Sequence, residues 1–183
     1  MPLRSYYSED DALGIRPILR SAFADLPALE EFCSVRDELY LDTLVAPSEE
    51  WLVWSLWPKL RTLALYNVDV LNHRFWEGLR QLENIETVVL TRSDGLEEVD
   101  IKREWRKQFD EATEARSLSI VLVNVEAEHK VLVGRDSWKE DDKMQVRELN
   151  VPTSYYGDED PIVLCQQWTK RSVLHGEPVA YWI

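Results

Sequence analysis

The chain has 183 residues, 45% of them apolar and 30% charged, which suits one soluble domain able to bury its own core. Its 21 Lys and Arg stand against 34 Asp and Glu, a formal charge of −13 that disfavours nucleic acid and anionic membrane as partners, since both are held by clustered cations. The two cysteines, Cys33 and Cys165, have no His or Cys at ligand spacing, and no stretch of about 18 apolar residues or signal-like leader occurs. A reduced intracellular setting, cytoplasmic or nuclear, is the expectation.

In chain order, residues 10–23 place Ile15, Ile18, Leu19, Ala22 and Phe23 at helical spacing, with Pro17 tolerable in a first turn because it has no N–H to donate. A short helix is expected over 48–57, with Ser48 as N-cap, Glu49 and Glu50 at the positive end of the dipole, and Pro58 as its stop. Trp51, Trp54 and Trp57 recur every three residues there. With Leu52 and Leu56 beside them most of that helix is apolar, so it is read as a buried element and not as an exposed platform.

The spacing of Phe75, Trp76, Leu79 and Leu82 predicts a helix over 72–82, and Ile101, Trp105, Phe109 and Ala112 predict another within 96–115. Between the helices lie the β-like runs LRTLAL from Leu60, IETVVL from Ile85 and SLSIVLV from Ser117. Beyond residue 126, HKVLVG from His129 is a candidate strand, VRELNV from Val146 echoes the runs weakly, and PIVLCQQW from Pro161 reads as a final strand. The apolar end VAYWI is expected to dock on the body.

The runs align with one another. Leu60, Leu63 and Leu65 superpose on Ile85, Val88 and Leu90 and then on Ser117, Ile120 and Leu122, and an earlier copy, Leu29, Phe32 and Ser34, precedes them; successive offsets are 31, 25 and 32 residues. Such a period marks a solenoid of parallel strands in which positions one, four and six stack inward. The pattern resembles the leucine-rich-repeat unit LxxLxLxxN. LRTLALYNVDV from Leu60 and LPALEEFCSVRDELYLD from Leu26 are similar to the repeat region of fungal F-box-like proteins, over about residues 20–125. Asn67 and Asn124 fall one place early against that pattern, and no F-box precedes the repeats. The fold class expected is therefore α/β: a leucine-rich-repeat-like solenoid fragment with parallel strands, helices on one side and a C-terminal segment folded onto the body. The domain expected is 1–183, with a repeat-like core at about 20–125 and an extension at about 126–183.

Chemistry-bearing motifs are sparse. His73, His129 and His175 lack partners at metal or triad spacing; His175 in HGEP, with Glu177 beside it as an orienting carboxylate, is the candidate for proton transfer. The acid clusters 8–11, 140–142 and 158–160 lack the ligand order of a calcium loop and read as solvated. No metal and no cofactor is expected. The opposite strand face carries an aliphatic line, Ala64, Val89 and Val121, bordered by Tyr66, Asn67, Thr91, Val123 and Asn124. That line is expected to lie under the C-terminal segment bearing Trp168, Tyr181 and Trp182. Tyr66, Asn67, Val89, Thr91, Val121, Asn124 and Trp168 are the candidate ligand or partner surface.

Two functions fit. The resemblance implies non-enzymatic recognition of a protein partner, as by the substrate-binding repeats of F-box-like proteins but without their adaptor-binding helices. The alternative is a cofactor-independent isomerase or cyclase of fungal secondary metabolism that confines an apolar small molecule between strand face and tail.

Overall fold

The computed structural model describes residues 15–35, 52–109, 116–125, 132–139, 143–154 and 156–174. The first helix, α1, spans Ile15–Ala24. A short strand, β1 (Glu31–Ser34), follows, and then Val53–Leu56 forms a single 3₁₀ turn where a longer helix is expected from sequence. Ser48, Glu49, Glu50 and Trp51 lie outside the described residues. Strand β2 (Thr62–Tyr66) leads to α2 (His73–Gln81), whose start is set by Asn72: its side chain accepts from the Arg74 N–H at 3.1 Å and so satisfies one orphan donor of the first turn. Strand β3 (Thr87–Thr91) leads to α3 (Ile101–Arg106), started by Asp100, which accepts from the N–H groups of Lys102 at 3.0 Å and Arg103 at 3.3 Å. Next come β4 (Leu118–Val125), a 3₁₀ helix at Arg135–Lys139, β5 (Met144–Val151) and α4 (Pro161–Leu174).

All five strands pair in parallel and stand in chain order, β1-β2-β3-β4-β5, so the fold is α/β with one parallel sheet. The pairing register equals the internal alignment of the sequence. Phe32 faces Leu63, which faces Val88, which faces Ile120; two residues on, Ser34, Leu65, Leu90 and Leu122 form the next row. Strands β2 and β3 end at the same kind of corner. Asn67 and Arg92, aligned residues of successive units, both have positive φ (52° and 51°), and their N–H groups bond the Thr91 and Val123 carbonyls of the following strand at 2.9 Å.

Side-chain alternation along the strands makes two cores, one on each face. The inner one holds Leu63, Leu65, Val88, Leu90, Ile120 and Leu122 against Phe75, Trp76 and Leu79 of α2 and Ile101 and Trp105 of α3. Tryptophan in the 53–57 segment belongs to this core: Trp54 and Trp57 are 4% and 0% exposed, and the Trp57 indole donates to the Phe23 carbonyl of α1 at 2.6 Å. Two further indoles of the inner layer are also tied down, Trp76 to the Val70 carbonyl at 2.8 Å and Trp105 to the Arg116 carbonyl at 3.3 Å, whereas the buried Trp54 N–H meets no acceptor among the described residues. Phe109 is half-buried beside Trp105, with ring centroids 5.0 Å apart, whereas Ala112 lies outside the described residues.

The C-terminal third differs from the sequence expectation in two places. The described part of the 129–134 run, Leu132 to Gly134, is a turn and not a strand. Residues 161–168 are helical and not extended, because Asp160 acts as an N-cap, accepting from Ile162 N–H at 2.8 Å, and Pro161 occupies the first position, where a missing N–H costs nothing. The weak echo at Val146 is a full fifth strand. Its rows end in charge: Arg147 follows Ala64, Val89 and Val121, and Glu148 follows Leu65, Leu90 and Leu122. Glu148 is held by Arg135 of the preceding 3₁₀ helix at 2.8 Å. Charges at both faces of a terminal strand discourage a further strand from adding there.

Candidate binding face

The outer face of the sheet is built from the residues between the inward rows. Ala64, Val89 and Val121 stand side by side across β2, β3 and β4, and Tyr66, Thr91 and Val123 make the adjoining row. Short aliphatic side chains in register give a flat surface, and α4 lies along it, packed on β4, β3 and β5. Cys165 is its fully buried apolar contribution, with Leu164, Trp168 and Val173 half-buried around it.

A polar contact between helix and sheet joins two hydroxyls. Thr91 Oγ1 and Thr169 Oγ1 are 3.1 Å apart and both residues have no exposed surface. A buried hydroxyl left alone would cost about 1 to 3 kcal/mol, so each threonine offsets the cost of burying the other and fixes the helix in translation and rotation. Ser172, one turn further, is also buried. At the rim, Arg92 donates from Nη1 to Asn124 Oδ1 at 2.9 Å, and the same oxygen accepts from the Val125 N–H at 2.9 Å.

The candidate residues named from sequence thus fall into three groups. Val89, Thr91 and Val121 are buried beneath α4, and Trp168 is part of the cover. Tyr66, Asn67 and Asn124 are half-buried along the strand ends. His175, like Tyr181 and Trp182, lies outside the described residues. Cys165, Thr169 and Ser172 were not singled out from the sequence. Their spacing, with Leu164 and Trp168, is that of one helix side, a signal masked by reading Ile162, Val163 and Leu164 as a strand.

Cys33 of β1 belongs to the same apolar cluster. Burial pushes its thiol above the ordinary value of about 8.5, and the positive charge of Lys170 on α4 only partly opposes this. The thiol is therefore protonated at neutral pH and a poor nucleophile. A sulfhydryl reagent at pH 7.5 is expected to label Cys33 more slowly than a free peptide thiol, and the buried Cys165 more slowly still, with both reacting at once in denaturant. The raised value also means that the unfolded chain loses this proton first as pH rises. Its stabilising contribution is complete below about 8.5 and is lost as pH climbs through the folded value. Urea melts of the protein and of Cys33→Ser at pH 8 and pH 10 check the sign: the substitution should flatten the alkaline fall.

Among the described residues no group of three His, Cys, Asp or Glu side chains is placed to hold a metal ion, and no helix is long and apolar enough to cross a membrane. Family models, curated proteins and solved structures give no match to this chain.

Proposed function

We propose that the protein is a non-enzymatic recognition module on a leucine-rich-repeat-like solenoid, similar to the substrate-binding repeats of F-box-like proteins and acting inside the cell on a protein partner. The observation that carries this reading is the agreement between repeat alignment and strand register. Offsets of 31, 25 and 32 residues in the sequence are the pairings Phe32 to Leu63, Leu63 to Val88 and Val88 to Ile120. Successive strands stand in chain order, and α2 and α3 pack on the same inner core, as a stacked repeat requires. The outer face offers aliphatic side chains, hydroxyls and a protonated thiol, which are means of binding rather than of proton transfer.

Panning a displayed peptide library against the intact protein tests the reading. A convergent set of peptides that binds at micromolar or tighter Kd supports it. Small-molecule screening by thermal shift is the opposing arm: apolar compounds that raise the melting temperature and are turned over, with no peptide selected, would replace recognition by the isomerase or cyclase alternative.

A further inference from the structure

The face that a recognition module of this shape would use is already filled by α4. We infer that α4 is a displaceable occupant, and that the partner taken by the strand face is itself a helix of similar chemistry. Such a helix would present small and β-branched side chains and a hydroxyl at i, i+4 spacing, with basic residues toward its C-terminal end. This rests on the recognition reading above and names its ligand class.

Four features of the fold support displacement. First, the two cores are separate. Among the described residues, the inner cluster has 21 buried hydrophobics and includes none from α4, whereas only Cys165 of the eight buried hydrophobics of the outer cluster comes from α4. Lifting the helix leaves the sheet and its inner helical layer packed. Second, the strand side of the contact is made mainly of short aliphatic side chains, Val89, Val121 and Val123, with Tyr66 and Leu149 half-buried in the same cluster. Third, α4 is tethered by 152–160, whose described residues are mostly exposed and bonded to one another: Ser154 N–H to Glu159 at 2.7 Å and Ser154 Oγ to Asp158 at 3.0 Å. Fourth, α4 is apolar on both sides, since Ile162 and Val163 remain 38% and 44% exposed on its outer surface.

Charge defines the partner further. The helix carries Lys170 and Arg171 and no acidic residue, in a chain whose net charge is −13. A competing helix with cations at the same end would gain the same long-range attraction, and its binding should weaken with salt.

Mass action sets the expected size of the effect. A short tether holds α4 at an effective concentration of order 1 mM. If α4 itself binds the bare face with an intrinsic Kd of about 10 µM, the closed form is favoured about 100-fold, and any free helix competing for the face binds the closed protein about 100-fold more weakly than the bare face.

The test is a protease site inserted between Gly157 and Asp158 of the full chain, cut after folding. The probe is a fluorescent peptide with the sequence of residues 158–176. Displacement predicts that the cut protein stays folded, exchanges its own fragment for the probe on dilution, and binds the probe at least tenfold more tightly than the uncut protein does. A probe with Thr169→Asp, which puts a carboxylate against Thr91, should not bind, and one with Thr169→Ser should. Release of the fragment only together with loss of amide protection in β2 and β3 would show that α4 is integral to the core and overturn the inference; so would equal probe binding to cut and uncut protein. Failure here leaves the library result untouched, so the two ideas fall separately.

Discussion

Trp76→Ala is expected to destabilise the protein by about 3 to 5 kcal/mol, among the largest single losses available to it. The indole is fully buried on α2 and meets Phe75 edge to face at a centroid distance of 4.9 Å. Its N–H donates to the Val70 carbonyl at 2.8 Å, which ties the helix to the corner that follows β2. Alanine removes the ring, opens a cavity between helix and sheet, and strands that carbonyl without a partner. Trp76→Phe separates these causes: most of the volume stays, the hydrogen bond goes, and the cost should fall to about 1 to 3 kcal/mol. Urea unfolding measures both, and an unchanged m-value would show that the denatured state is the same. A loss below about 1 kcal/mol for the alanine variant, the range of ordinary surface substitutions, would mean that the helical layer does not hold the sheet.

The parts of the fold legible in the sequence are those where one physical cause repeats. In β2, β3 and β4 the inward positions are aliphatic three times over, so aligning Leu63 with Val88 and Ile120 was enough to give the pairing register. β5 was faint because Arg147 and Glu148 stand where the earlier rows have Val121 and Leu122, and a closing strand needs charge where an internal one needs packing. The tryptophan segment was legible as buried but not as 3₁₀. Burial follows from how much of the segment is apolar, whereas the choice of helix type over four residues depends on what the chain meets at Phe23 and Phe32.

For the candidate face, the aliphatic line was visible and so was the need to cover it. The nature of the cover was not. Ile162, Val163 and Leu164 have the β-branched, apolar character of a strand, and α4 buries a cysteine, a threonine and a serine rather than a leucine stripe. Residues that small fit a flat valine surface closely, which is why they are there and also why the helical period they share with Leu164 and Trp168 is weak. The local start signal, Asp160 followed by Pro161, outweighed the apolar triplet.

Leu65→Ala probes the sheet itself and is expected to cost about 2 to 5 kcal/mol. Leu65 is buried in the inner core, on the central part of β2, with Ser34 beside it on β1 and Leu90 on β3. Strand neighbours cannot slide to fill the gap, since a one-residue shift of register would turn every inward side chain of the strand to the other face. The cavity therefore persists, and both the transfer of the lost methyl groups and the missing contacts count against the folded state. Ala64→Gly, one residue earlier but on the outer face, removes a single methyl from the outer cluster and should cost about 1 kcal/mol through backbone entropy. If denaturant titration placed the two variants within experimental error of each other, the inner rows would not be the main store of stability. The separation of an essential inner core from a smaller outer one, on which release of α4 depends, would then fail as well.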